Sequence, residues 1–162
     1  MTNIIIAITL LLTYTVSICA VNRMIPDSLS KSVFMLPPKS SWIWTLVIGA
    51  TAALIMPSLI ERASENTQFL AFFACAGTAF VAVTPLIKGT SDMSYKVHMT
   101  GAYVAAVCSQ LLLAANCWWL LIGWMPWVFG FSSYHNRGRK WHAAKFWAEM
   151  TCFVLVFIFL MF

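Results

Sequence analysis

Charge is what this sequence has least of. Only 9% of its 162 residues are charged while 61% are hydrophobic, whereas a soluble domain carries about 25% charged residues. A water-soluble chain of this size leaves much of its surface exposed and has nowhere to hide so much apolar area. Polar linkers, internal repeats and low-complexity segments are also missing, so the chain reads as a single transmembrane domain over residues 1–162. The five cysteines, Cys19, Cys75, Cys108, Cys117 and Cys152, form no C-x-x-C pair. They read as small buried hydrophobes and report no redox compartment. No H-E-x-x-H or H-x-x-x-H pair occurs, so no metal site and no cofactor are expected. Without a basic face on a folded domain, nucleic acid is not an expected partner.

What is present is long apolar runs. Residues 1–22, 40–60, 66–87 and 97–136 carry no charge, and a last apolar segment runs from about Ala143 to Phe162. A spanning helix needs about 20 residues. Four segments fit one helix each. The run 97–136 is 40 residues long, enough for two helices with a turn at Ala115-Asn116-Cys117. The fold class expected is therefore all-α: a polytopic transmembrane helical bundle of six helices. They are placed near 3–21, 42–60, 67–87, 96–114, 117–131 and 143–162. The alternative has five helices, with one long helix through 97–121 and an interfacial piece around Pro126.

Loop charge separates the two readings. With six helices, Arg23, Lys31, Lys39, Lys88, Lys96, Arg137, Arg139, Lys140 and Lys145 share one side and Arg62 stands on the other, nine against one. With five, the cations divide evenly. Cytoplasmic loops carry the Lys/Arg excess, so the six-helix reading places both termini outside the cytoplasm. A cleaved signal peptide ending near Ala20 is disfavoured, because Met1-Thr2-Asn3 lacks a positive n-region.

Small residues and tryptophans mark the helix surfaces. Ala71, Cys75 and Ala79, and likewise Gly101, Ala105 and Ser109, recur every four residues, a spacing that lets helices approach closely within one chain. Trp42, Trp44, Trp118, Trp119, Trp141 and Trp147 fall at helix ends and read as interfacial anchors. Pro57 and Pro85 are placed near the ends of helices 2 and 3, where a missing N–H costs least.

Few polar groups lie at membrane depth, where ionisable residues are functional candidates by default. His98 opens helix 4. Glu149 lies one turn into helix 6, with Lys145 four residues earlier as its expected ion-pair partner. His98, His135, His142, Asp92 and Asp27 share the cytoplasmic side, and the turn at Ser28 and Ser30 lies near them. His98, Asp92, Glu149, Ser28, Ser30, His135 and His142 are thus the ligand-binding or structural polar candidates, and no catalytic residue can be named. His98 is expected to point into the bundle and bond either the Ser28–Ser30 turn or the start of helix 6. Membrane lipids are the expected partners, with Arg137, Arg139 and Lys140 suited to anionic head groups.

The turn Ile25-Pro26-Asp27-Ser28-Leu29-Ser30, the end Val83-Thr84-Pro85 and the start His98-Met99-Thr100-Gly101-Ala102 together resemble a bacterial six-helix membrane family of unknown function. That family is loosely similar to the DRAM-like membrane proteins. The first segment is also similar to hypothetical proteins of gut Bacteroidetes and their phages. The resemblance covers about residues 20–115. It implies the architecture and a bacterial inner-membrane location, and supplies no mechanism. Three functions follow as expectations: a non-enzymatic membrane protein acting through helix packing, lipid or partner binding; a small transporter or channel; or a membrane-embedded hydrolase. The hydrolase requires His98, His135, His142 and Asp92 to converge.

Overall fold

The computed structural model describes residues 1–85, 91–136 and 142–162, without the side chains of His135 and Asn136. Six α-helices follow in order: α1 (Thr2–Asn22), α2 (Ser41–Arg62), α3 (Gln68–Val83), α4 (Asp92–Cys117), α5 (Met125–Asn136) and α6 (Ala144–Met161). Among the described residues there is no strand. Short 3-10 segments cover Ser30–Met35, Pro38–Ser40, Glu65–Thr67 and Trp118–Trp124. The architecture is the all-α bundle read from the apolar runs.

Among the described residues five stretches are long and apolar enough to cross a membrane, the fourth being the 43 residues Asp92–Tyr134. That stretch nevertheless folds back on itself. The Trp124 indole N–H donates to Gln110 Oε1 at 2.9 Å. Fourteen residues of straight helix would hold these two about 21 Å apart. The reversal falls where α4 ends, at Cys117, whose φ of −156° and ψ of 56° leave the helical region. The return limb combines a seven-residue 3-10 segment with the twelve residues of α5. At rises of about 2.0 and 1.5 Å per residue it reaches about 30 Å. Pro126 sits in the first turn of α5, where no helical N–H is needed.

Other helix ends depart from expectation for local reasons. The α4 helix starts at Asp92, ahead of 96, because Ser91 caps it by accepting the Ser94 N–H at 3.2 Å. The α3 helix stops at Val83, short of 87. Pro85 disfavours the helical conformation at Thr84. Pro57 lies inside α2, five residues before its last residue.

Tertiary bonds assign the helix ends to two faces. On one, Arg62 donates to the Leu160 carbonyl at 3.3 Å and the Ser64 N–H donates to Asn116 Oδ1 at 3.0 Å. The ends of α2, α4 and α6 therefore meet there. On the other, the Phe146 N–H donates to the Asp27 carbonyl at 3.1 Å, and Trp44 Nε1 donates to the Leu29 carbonyl at 3.2 Å. This second face carries the connection between α1 and α2 and the start of α6. Arg23, Lys31, Lys39, Lys96 and Lys145 belong to it, and of the described cations only Arg62 belongs to the first. Lys88, Arg137, Arg139 and Lys140 lie outside the described residues.

The closest helix contact is between α3 and α4. A Cβ on Gly77 would stand 2.6 Å from the Gly101 carbonyl oxygen and 2.7 Å from the Ala105 nitrogen. Gly101 and Ala105 thus face another helix of the same chain, as their spacing predicts. The α3 stripe is shifted from its expected register. Ala71, Ala74 and Cys75 are buried and Gly77 makes the contact, while Ala79 is exposed. Helical periodicity drifts off a strict four-residue step, which carries Ala79 round toward the outside.

Candidate functional site

Of the polar residues singled out in the sequence, His98, Asp92 and His142 do not gather at one place, while Glu149 and Ser30 meet. His98 is 1% exposed. Its Nδ1 lies 2.8 Å from the Thr84 carbonyl oxygen. A carbonyl only accepts, so Nδ1 carries the proton and donates. The ring also stacks on Trp44, with centroids 6.1 Å apart. His98 therefore points into the bundle as expected but bonds the end of α3. Its expected partners were the Ser28–Ser30 turn and the start of α6. The reason is local: α3 stops at Val83 with Thr84 as its C-cap, and the carbonyls at a helix's end lack helical partners. Asp92 is exposed and pairs with Lys96 at 2.6 Å. His142 is exposed, with Nε2 3.8 Å from Asp27 Oδ1. Ser28 accepts the Lys31 N–H at 3.1 Å. The side chain of His135 lies outside the described residues. Among the described residues no group of three or more His, Cys, Asp and Glu is placed to hold a metal ion.

Glu149 departs from expectation in a more informative way. Lys145 is exposed and forms no ion pair with it among the described contacts. Glu149 Oε2 instead accepts the backbone N–H of Leu29, and the Ser30 N–H also bonds the carboxylate. These amides open the 3-10 segment Ser30–Met35, whose first N–H groups have no acceptor of their own. A carboxylate on α6 thus caps a segment 120 residues earlier. The same Leu29 accepts the Trp44 indole N–H at its carbonyl. The backbone at Leu29 is held from both sides, by α6 and α2.

Trp44 itself corrects the anchor reading. It is fully buried, whereas Trp42, Trp118 and Trp119 are exposed as anchors should be.

Glu149 opens onto a half-open cavity of about 260 Å³ lined by α2, α3, α4, α6 and the 3-10 segment after α4, with Leu29 and Ser30 at one end. Along α2 its lining runs from Trp44 to Leu59, a helical length of about 22 Å. The walls are apolar side chains such as Ile48, Ile55, Phe153 and Val156. Small residues leave the space open: Ala74, Ala102, Ala105, Ala106 and Ala148 line it from three helices.

No family model matches the chain, and no similar curated protein or solved structure was found.

The cavity is what sequence reasoning missed. Of its lining, Cys75, Ala105 and Ser109 read as packing stripes and Trp44 as an interfacial anchor. One signal was available: Glu149 is the one acidic residue of the last apolar run.

Proposed function

We propose that this chain is a multi-pass protein of the bacterial cytoplasmic membrane that binds an apolar or amphipathic molecule within its helical bundle without transforming it. The single observation that carries this reading is the 260 Å³ cavity with apolar walls and one carboxylate. Ligand sites are concave, largely apolar and furnished with few polar groups. The hydrolase reading loses its support because His98, His142 and Asp92 each have a separate partner. The excess of cations on one face favours a cytoplasmic position for that face and extracytoplasmic termini. Arg137, Arg139 and Lys140 suit anionic lipid head groups on the same side. The resemblance to the bacterial six-helix family agrees with this architecture and names no ligand.

Extraction of the full chain into lipid nanodiscs, followed by mass spectrometry of the bound small molecules, tests the reading. A lipid-soluble compound should be recovered in constant proportion with the wild type. It should be lost from a variant carrying Ala106→Leu and Ala148→Leu, which fill the cavity from two helices. Equal recovery from both proteins, or none from either, sinks the proposal.

A further inference from the structure

The cavity's polar groups restrict what its occupant can be. Four of its polar side chains already spend their donors inside the protein. Trp44 Nε1 donates to the Leu29 carbonyl at 3.2 Å and Trp124 Nε1 to Gln110 Oε1 at 2.9 Å. The Thr78 hydroxyl donates to the Ala74 carbonyl at 2.9 Å and the Ser109 hydroxyl to the Ala106 carbonyl at 3.0 Å. A ligand rich in acceptors, such as a carboxylate or phosphate, would meet almost no free donor there.

Glu149 has the opposite property. A carboxylate offers about four acceptor positions, and the Leu29 and Ser30 amides take two. Acceptor capacity remains, and among the described residues no cation is paired with it. Lys145 acts on this partly buried carboxylate without pairing with it, and a cationic ligand would add a direct counter-charge. Phe153 lies one helical turn after Glu149 and lines the cavity, whereas Trp44 is fully buried against His98. Aromatic faces near a carboxylate are the setting in which organic ammonium groups are held. Beyond them the lining continues to Leu59 with Ile55 and Val156, long and narrow enough for a linear apolar tail.

We propose that the cavity binds an amphipathic organic monocation, with its ammonium head between Glu149 and Phe153 and its apolar tail along α2 toward Leu59. This inference rests on the cavity-binding reading above and adds the charge and shape of the ligand. Glu149 contributes the counter-charge, and Ser30 contributes a hydroxyl beside it.

Decyltrimethylammonium is a suitable probe, with decanol and decyl sulfonate as its neutral and anionic counterparts. Saturable binding of each is measured on the full chain in nanodiscs against protein-free discs. The wild type should bind the cation at one per chain and at least tenfold more tightly than either counterpart. Glu149→Gln keeps an acceptor for the Leu29 N–H, and so the fold, yet should weaken cation binding at least tenfold. Phe153→Leu should weaken it several-fold. Decanol bound as tightly as the cation, or Glu149→Gln binding the cation undiminished, would overturn the cationic ligand while leaving an apolar binding cavity in place. Should Glu149→Gln fail to fold, the preference of the wild type for the cation over decanol decides the matter alone. No saturable binding of any of the three would overturn this inference and leave the bound-lipid measurement to judge the broader reading.

Discussion

At the scale of single residues, His98 is the position where chemistry and packing meet. Its donor satisfies the Thr84 carbonyl and its ring covers Trp44. Deleting the ring leaves a buried acceptor unmet, which costs about 1–3 kcal/mol. His98→Ala should therefore lower the thermal midpoint of the detergent-solubilised protein. His98→Asn should recover part of the loss, because its amide nitrogen hangs from Cγ as Nδ1 does. His98→Gln carries the donor one bond further and should recover less. Equal melting of the alanine variant and wild type would show that the Thr84 bond contributes nothing. Glu149 follows the same logic at the Leu29 amide. Glu149→Ala strips the acceptor from the Leu29 amide and should destabilise the fold by about 1–3 kcal/mol, whereas Glu149→Gln should cost well under half of that. A stability assay ranking the two variants equally would remove the capping role assigned to this carboxylate.

At the scale of helices, two contacts decide the assembly. The crossing of α3 and α4 depends on Gly77 and Gly101 lacking Cβ atoms. Gly77→Ala forces backbone apart at 2.6–2.7 Å and should cost about 1–3 kcal/mol. Gly49→Ala is the matched control, since its added Cβ would meet Ala82 Cβ at an ordinary 3.6 Å. Comparable melting of the two variants would refute the close crossing. The reversal after α4 is braced by the Trp124–Gln110 bond. A double-mutant cycle with Trp124→Phe and Gln110→Leu should give a coupling of about 0.5–1.5 kcal/mol. Additive effects would mean the hairpin is held by Gly123 packing on Leu155 and by the Asn116 bonds to Ser64 and Thr67 instead.

At the scale of the whole molecule, the alternation of helix ends gathers Arg62, Asn116 and Leu160 on one face and Leu29, Trp44 and Phe146 on the other. Six passes with both termini on the Arg62 face follow if the bundle sits upright in a bilayer. Reporters fused before Met1 and after Phe162 should both read as extracytoplasmic. Reporters inserted after Lys39 and after Lys96 should read as cytoplasmic. Termini on opposite sides would return the count to five and leave the charge argument without force.

The sequence by itself determined the class of fold. Apolar runs bounded by charges admit little besides helices, because a backbone in hydrocarbon must satisfy its own hydrogen bonds. The same runs left five or six helices open, and the expected ends lie within a few residues of those found except at α5, which starts at Met125 after a 3-10 segment where a helix from 117 was expected. Local chemistry that needs no partner was legible too: the Pro85 stop, and the small residues of α4 that require a close neighbour. Partners were not legible. The bonds from His98 to Thr84, from Glu149 to Leu29 and from Trp124 to Gln110 join residues 14 to 120 positions apart, and which of them meet depends on how helices rotate about their axes. The cavity belongs to the same category. Alanines on α3, α4 and α6 look alike whether they touch another helix or face an open space, and only the packing of five elements together decides which.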